Sequence, residues 1–404
     1  MAGHRRQHAP PPANRNHAGK IHCPPAGSRR GNPSPATQSQ RTEYRHAMSN
    51  THAPALQNTS PSDRTAITRL GIVYWQANDG IAPLFAAAFQ SEGCQTRPLL
   101  STDPLPPNVE AIFVYGPFGS LVPLANQLHA MPPARRPRLI LWITEQFPSP
   151  RLPEWLRYGI GVARSRLERL AHRRTPSGEW RIAPPLRWLT RRMHRFRYYG
   201  DLYWLREGGL LSLLVTGSQV TAQFLQARGF RPLVAVMGSA PAWSADLHLE
   251  RDIPVLWLGK PGSRRRKKLI QRLRAELQQR GIKMLVVDGV EHPYVFGEER
   301  TRLLNRTRIV LNILREPWDN NAMRFFLAAP NRALIVSEPI LPHTPYTPGV
   351  HLVVAPVPRL ADTIGHYLAH PTEAGPIIER AYRLATEELT IQHAARRVLQ
   401  HLNP

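Results

Sequence analysis

The segment Asn305 to Pro339, NRTRIVLNILREPWDNNAMRFFLAAPNRALIVSEP, admits few folds, because an apolar strand, a polar loop, a helix and a second apolar strand follow one another in it. Ile309 to Leu314 is β-branched and apolar almost throughout, as a strand buried on both faces must be. Glu316 to Asn321 then brings Pro, Trp, Asp and two Asn, the residues of loops and helix caps. A helix from about Ala322 to Ala329 leads through Asn331 and Arg332 into a strand at Ala333 to Val336. A crossover of this kind is right-handed and makes the two strands parallel. Backbone N–H groups at the start of the helix then face whatever lies beyond the strand's carboxyl end, which is the outline of an anion site.

The same alternation runs along most of the chain. Strands are expected at Gly71 to Trp75, Thr96 to Leu100, Ala111 to Tyr115, Leu139 to Thr144 and Leu213 to Thr216, with helices between several of them. A second series begins at Ile253 to Gly259 and continues with a basic helix from Arg264 to Gln279, a strand at Lys283 to Asp288, a helix near Glu298 to Asn305 and, after the opening segment, a strand at Leu352 to Ala355 and helices to Leu402. Alternating strands and helices build parallel α/β sheets. At 404 residues the chain exceeds what one core usually fills. Two Rossmann-like domains are therefore expected, over residues 66–245 and 246–404, with a ligand in the cleft at the carboxyl ends of both sheets. Residues 1–65, rich in Pro, Ala, His, Arg and Ser, bury too little apolar surface to order and are read as a disordered basic tail. Met48 offers an alternative start within it.

The formal net charge of +25 is concentrated in patches. Residues 1–65 hold nine Lys/Arg against two Asp/Glu, residues 150–210 fourteen against five, and residues 260–283 ten against one. Localised patches suit particular anionic partners such as a diphosphate or a phospholipid surface, and argue against a general nucleic-acid binder. Cys23 and Cys94 alone cannot supply a disulfide framework or a zinc site, so no metal ligands are assigned. The turns after Trp75 and Leu258 lack G-x-G-x-x-G, which removes a Rossmann oxidoreductase. The longest uncharged run, Ala111 to Leu128, is broken by Gly and Pro, and the first 25 residues hold no apolar core of a signal peptide. A cytoplasmic location is expected, with peripheral attachment to the inner face of a membrane as the variant. In the basic region 150–210, two long helical segments carry an apolar stripe, Leu156, Ile160, Ala163, Leu167 and Leu170, beside many Arg and aromatic residues. Two readings fit that composition: an interfacial helix on anionic lipid, or a helical pair packed on the sheet with a solvated basic face.

The run Arg324-Phe325-Phe326-Leu327-Ala328-Ala329-Pro330-Asn331-Arg332, followed by the strand at Ala333 to Ser337, resembles the C-terminal half of GT-B glycosyltransferases of the group 1 and spore-maturation type, whose pattern is R-x-F-E-x-x-A-x-G and a strand. The similarity covers about Pro254 to Leu402. It implies a GT-B fold with two Rossmann-like domains facing across a cleft, the Arg-rich helices forming an insertion in the first. It also implies transfer of a sugar from a nucleotide-diphosphate donor to an envelope, lipid-linked or metabolite acceptor, retaining and metal-independent, with no cofactor beyond the donor. The sequence departs from the family at Leu327, where the family places a Glu that clasps ribose, and at Arg332, where it places Gly. Those departures also fit an inactive basic protein of the same fold that binds membrane or nucleic acid.

The leaving diphosphate of such a reaction demands cations and backbone N–H groups. Gly259-Lys260-Pro261-Gly262-Ser263-Arg264-Arg265 follows a strand and precedes a helix, so Lys260 and Arg264 join Arg324 as catalytic candidates, with Gly259, Gly262, Arg265, Asn320, Asn321 and Glu338 on the donor side. Arg266, Lys267, Lys268, Arg272 and Arg274 read as a solvated face. Arg324 fits either an anion contact or an ion pair with Glu316 or Asp319. Asn78, Asp79, Gly80 and Glu145, which follow strands of the first series, and His292 in a loop of the second, are the acceptor-side candidates.

Overall fold

The computed structural model describes residues 66–76, 79–116, 118–145, 147–174, 193–316 and 323–403. The expected tail and the candidates Asn78, Asn320 and Asn321 lie outside them. Residues 66–403 contain two parallel sheets. The first has the order β2-β1-β3-β4-β5-β6, with β1 at Arg69–Tyr74, β2 at Gln95–Leu100, β3 at Ala111–Tyr115, β4 at Arg138–Ile143, β5 at Leu211–Thr216 and β6 at Leu233–Val234. The second has the order β11-β10-β9-β7-β8, with β7 at Ile253–Leu258, β8 at Met284–Val287, β9 at Thr307–Asn312, β10 at Leu334–Ser337 and β11 at Val353–Val354.

Each sheet is covered on both faces, which is why its strands read as unbroken apolar runs. In β3, Phe113 and Tyr115 point into one core, where Phe113 packs 4.8 Å from Phe85 of the helix Ala82–Ser91, α1. Ile112 and Val114 point into the other, with Leu128 of the helix Val122–Ala130, α2. In β7, Val255 and Trp257 face one core and Leu256 the other. The segment that opened the sequence folds as a parallel βαβ unit, with Leu334 in register with Ile309 and Ser337 with Asn312. The last helix, Ile391–Leu402, crosses back to the first sheet's domain. Arg396 pairs with Glu92 at the end of α1, and Arg138 Nη1 donates to the carbonyl of Leu402 at 2.9 Å.

The Arg-rich insertion is a pair of packed helices, α3 at Glu154–Arg174 and α4 at His194–Glu207. Their contact inverts the sequence expectation. Leu167 and Leu170 of the supposed apolar stripe are each 51 % exposed, whereas Arg157, Arg164, Ser165 and Glu168 are buried. The reason is backbone proximity. A Cβ on Gly200 of α4 would sit 2.0 Å from the carbonyl oxygen of Gly161 of α3, so the helices meet at two glycines, too close for large side chains between them. Ion pairs fill the flanks. Arg164 Nη1 donates to Glu168 at 2.8 Å, Arg197 of α4 lies 3.5 Å from the same carboxylate, and Ser165 Oγ donates to Asp201 at 2.7 Å. No helix among the described residues is long and apolar enough to cross a membrane.

Candidate active site

The carboxyl ends of the two sheets open on a common cavity of about 870 Å³. Its second-domain wall is built on the loop after β7. Gly259 and Gly262 have φ of +108° and +70°, values that favour glycine. Ser263 then caps the basic helix Arg264–Gln279 by accepting from the N–H of Arg266 at 3.2 Å. Ser263 Oγ in turn donates to the carbonyl of Arg315 at 2.7 Å, which ties this loop to the one after β9.

Arg324, from the short helix Met323–Ala328, is buried against this loop. Its Nε donates to the carbonyl of Leu258 at 3.0 Å and its guanidinium lies 3.9 Å from the Trp257 ring centroid. A Cβ at position 259 would meet Arg324 Nη2 at 3.5 Å, an ordinary contact, so it is the backbone angle that calls for glycine. Lys260 also lines the cavity, its Nζ 5.5 Å from the Tyr294 ring centroid.

The remaining donor-side candidates divide. Arg264 is exposed and does not line the cavity. Arg265 forms an ion pair with Glu338, and both carboxylate oxygens of Glu338 are engaged, since Oε1 also accepts from the N–H of Leu314 at 2.6 Å. Donating to the Glu338 carboxylate raises the Arg265 pKa above its ordinary value. Glu338 is 3 % exposed and holds the β9 loop in place; it does not reach the cavity as a ribose clamp would. Leu327, where the family pattern has Glu, lines the cavity. Arg332, where the pattern has Gly, takes the left-handed conformation with φ of +56°, paired with Glu379 and stacked 3.7 Å from the Tyr382 centroid.

Three cations that line the cavity had no functional role in the sequence reading. Arg266, there assigned to a solvated face, is 3 % exposed; its position three residues after the cap turns it inward, where Nη2 donates to the carbonyl of Lys260 at 2.6 Å. Arg315 follows the apolar run of β9 directly, at the strand's carboxyl end, and that placement was the available signal. Arg300 comes from the helix Gly297–Asn305, and burial lowers its pKa. Its guanidinium lies 5.6 Å from the Trp243 centroid, and among the described residues its buried Nε has no hydrogen-bond partner.

The first-domain wall has a different chemistry. Glu145, at the end of β4, is the one carboxylate among the described lining residues, and its Oε2 lies 4.0 Å from Arg315 Nη1 across the cleft. Gly80 lines the cavity too. Asp79 serves as a local cap: Oδ1 accepts from the N–H groups of Ile81 and Ala82, both at 2.9 Å. His292 is exposed outside the cavity, with Nδ1 2.8 Å from the carbonyl oxygen of Val286. Around Glu145 the wall is largely apolar, with Phe118, Phe147 and Phe224 contributing rings.

Residues 264–400 match a family model described as glycosyl transferase-like. The fold is similar to that of Anabaena HepE, solved in complex with UDP and glucose, with a TM-score of 0.53 and 10 % identity over 83 % of this chain and 99 % of that one. The chain has the GT-B fold, and its residues 264–400 are similar to the glycosyl transferase-like family. Sucrose-phosphate synthase from Thermosynechococcus elongatus is similar to the same degree, with a TM-score of 0.53 and 10 % identity over 83 % of this chain and 98 % of the synthase. TarM gives a TM-score of 0.49 at 8 % identity, and this chain spans 55 % of its length. No curated protein matches the sequence.

Proposed function

We propose that this protein is a glycosyltransferase that moves a sugar from a nucleotide-diphosphate donor to a hydroxyl acceptor, with the donor on the second domain and the acceptor on the first. The observation that carries the reading is the convergence of Lys260, Arg300, Arg315 and Arg324 on one cavity between the carboxyl ends of two parallel sheets. As the sugar leaves, its bond to the diphosphate breaks with the electron pair going to phosphate oxygen, and negative charge grows there. Preorganised cations stabilise that charge more than they stabilise the ground state. Lys260 and Arg324 stand beside the glycine loop, where the backbone admits a phosphate, and Arg315 stands at the boundary with the acceptor wall. The sugar carbon bonds to the acceptor oxygen, whose proton goes to the departing phosphate; Glu145 orients that hydroxyl by accepting from it.

Metal independence and retention belong to the same proposal. Divalent ions such as Mg²⁺ are held by oxygen ligands, commonly carboxylates with the substrate's phosphates, and the described lining supplies five cationic side chains against Glu145. No cofactor beyond the donor is required. HepE was solved with UDP, so UDP is the first nucleotide to test, beside GDP and dTDP. A thermal shift with one of them, lost in Arg324→Ala, is expected. The same shift in the variant would remove Arg324 from the donor site, and no shift with any nucleotide would remove the donor reading.

The exposed side of α3 supports peripheral attachment to an anionic membrane. Trp155 is 74 % exposed and stands with Tyr158, Leu167 and Leu170 beside the exposed Arg151 and Arg166, an apolar and cationic surface of the kind that seats at a headgroup boundary. Co-sedimentation with anionic but not with neutral liposomes is the expected result; equal recovery from both would overturn it.

A further inference from the structure

The two walls of the cavity differ in a way that specifies the acceptor. On the second domain the lining is cationic. On the first, Phe147 and Phe224 stack with centroids 5.6 Å apart and planes at 21°, and Phe118 stands 48 % exposed with its edge toward Tyr115. Ile81 and Val220 extend the same apolar lining. Pro148 and Pro150 carry it outward toward the start of α3, where Trp155 is 74 % exposed. The polar groups on this wall, Thr144, Glu145, Thr216 and Ser218, sit at the ends of β4 and β5.

A free sugar would stack on one ring at most, and an ionic acceptor would use the polar groups, so either would leave most of the apolar lining in water. An acceptor with an apolar body would cover it, and each methylene taken from water contributes about 0.8 kcal/mol, a factor of roughly four in affinity. We infer that the acceptor is an amphiphile: a hydroxyl-bearing head at Glu145, joined to hydrocarbon that lies along Phe118, Phe147 and Phe224 and leaves the cavity past Pro150. This assignment rests on the donor reading for its orientation, because Arg315 lies beside Glu145 and so sets the reacting hydroxyl next to the cationic wall. Pro150 precedes α3 by four residues, so a lipid-borne acceptor leaving past it would have its chain near the start of that helix while the head is glycosylated.

The test uses the full chain and n-alkyl β-D-glucosides, from methyl to octyl, below their micellar concentrations, titrated by calorimetry with and without UDP. Dissociation constants are expected to fall about two- to fourfold per added methylene, and Phe118→Ser is expected to flatten the series while leaving the UDP thermal shift unchanged. Phe118 is half exposed, so the variant is expected to fold, which its circular dichroism spectrum checks. A flat series in the wild type overturns the inference, and so does a slope that Phe118→Ser leaves intact. The two failures separate: a missing UDP shift counts against the donor reading, whereas the alkyl series without nucleotide scores the apolar wall by itself.

Discussion

Two regions of this protein are rich in basic residues and use them in opposite ways. In the α3–α4 pair, Arg164 and Arg197 are buried against Glu168, and Arg197 also lies 3.7 Å from Asp201. At the mouth of the second sheet, Lys260, Arg300, Arg315 and Arg324 converge on a cavity whose described lining holds one carboxylate. The first arrangement pairs its charges within the helices and makes structure. The second gathers cations on a concave site, which is the charge a diphosphate requires.

If that difference is real, the largest effect should come from removing a carboxylate in the helical pair. Glu168→Gln leaves two buried guanidiniums without their shared anion, and breaking such a pair costs about 3–5 kcal/mol. Urea unfolding should show a loss of that size. A loss under 1 kcal/mol, the order of an exposed pair, would mean that the buried charges are solvated in solution and that the contrast between the regions is overstated.

Next is the contact that forces those charges together. Gly200→Ala puts a methyl group 2.0 Å from the Gly161 carbonyl oxygen, a backbone atom that cannot rotate away. Overpacking of this kind costs about 3 kcal/mol, and thermal unfolding by circular dichroism should register it. Nearby, Gly159 has open space around its Cβ position, so Gly159→Ala should be neutral or slightly stabilising. Equal behaviour of the two variants would refute the glycine crossing.

These helices also mark the limit of what could be read from the sequence. The parallel sheets were legible because strands buried on both faces leave long apolar runs, as at Ile309 to Leu314. The glycine loop was legible because Gly259 and Gly262 stand between a strand and a capped helix. The buried face of α3 was not, since hydrophobic periodicity assumes that apolar side chains turn inward, and here a Gly–Gly approach decided the face. Arg266 and Glu338 were misplaced for a related reason. Whether a side chain at a helix start or strand end reaches the cavity or the loop beside it depends on cap and loop geometry, which residue type does not reveal.

A smaller effect probes the titration of the pair. Asp201 is fully buried, and burial, aided by the Glu168 carboxylate, pushes its pKa up to about 6 against the pull of Arg197 and the Ser165 hydroxyl. The folded state therefore holds this proton more tightly than the unfolded chain. Asp201 stabilises fully below the ordinary Asp range near 4, and the contribution fades as pH rises through about 6. Asp201→Asn should gain on the wild type over that window by on the order of 2 kcal/mol and hold a constant difference above it. A difference in unfolding free energy that is flat from pH 4 to 7 would place the titration elsewhere.

The smallest effect belongs to the other region, and it should appear in binding rather than in stability. Arg315 and Glu145 are 34 % and 22 % exposed and 4.0 Å apart, so their pair contributes within about 1 kcal/mol to folding. A guanidinium that meets a phosphate oxygen contributes more, because charge-assisted hydrogen bonds are the stronger kind. Arg315→Ala should therefore weaken UDP binding about tenfold, equivalent to about 1.4 kcal/mol, while the midpoint of thermal unfolding without nucleotide moves by no more than about 2 °C. The reverse outcome, unchanged affinity with a large loss of stability, would make Arg315 another structural arginine like Arg164. The cationic wall would then have to rest on Lys260, Arg300 and Arg324 alone.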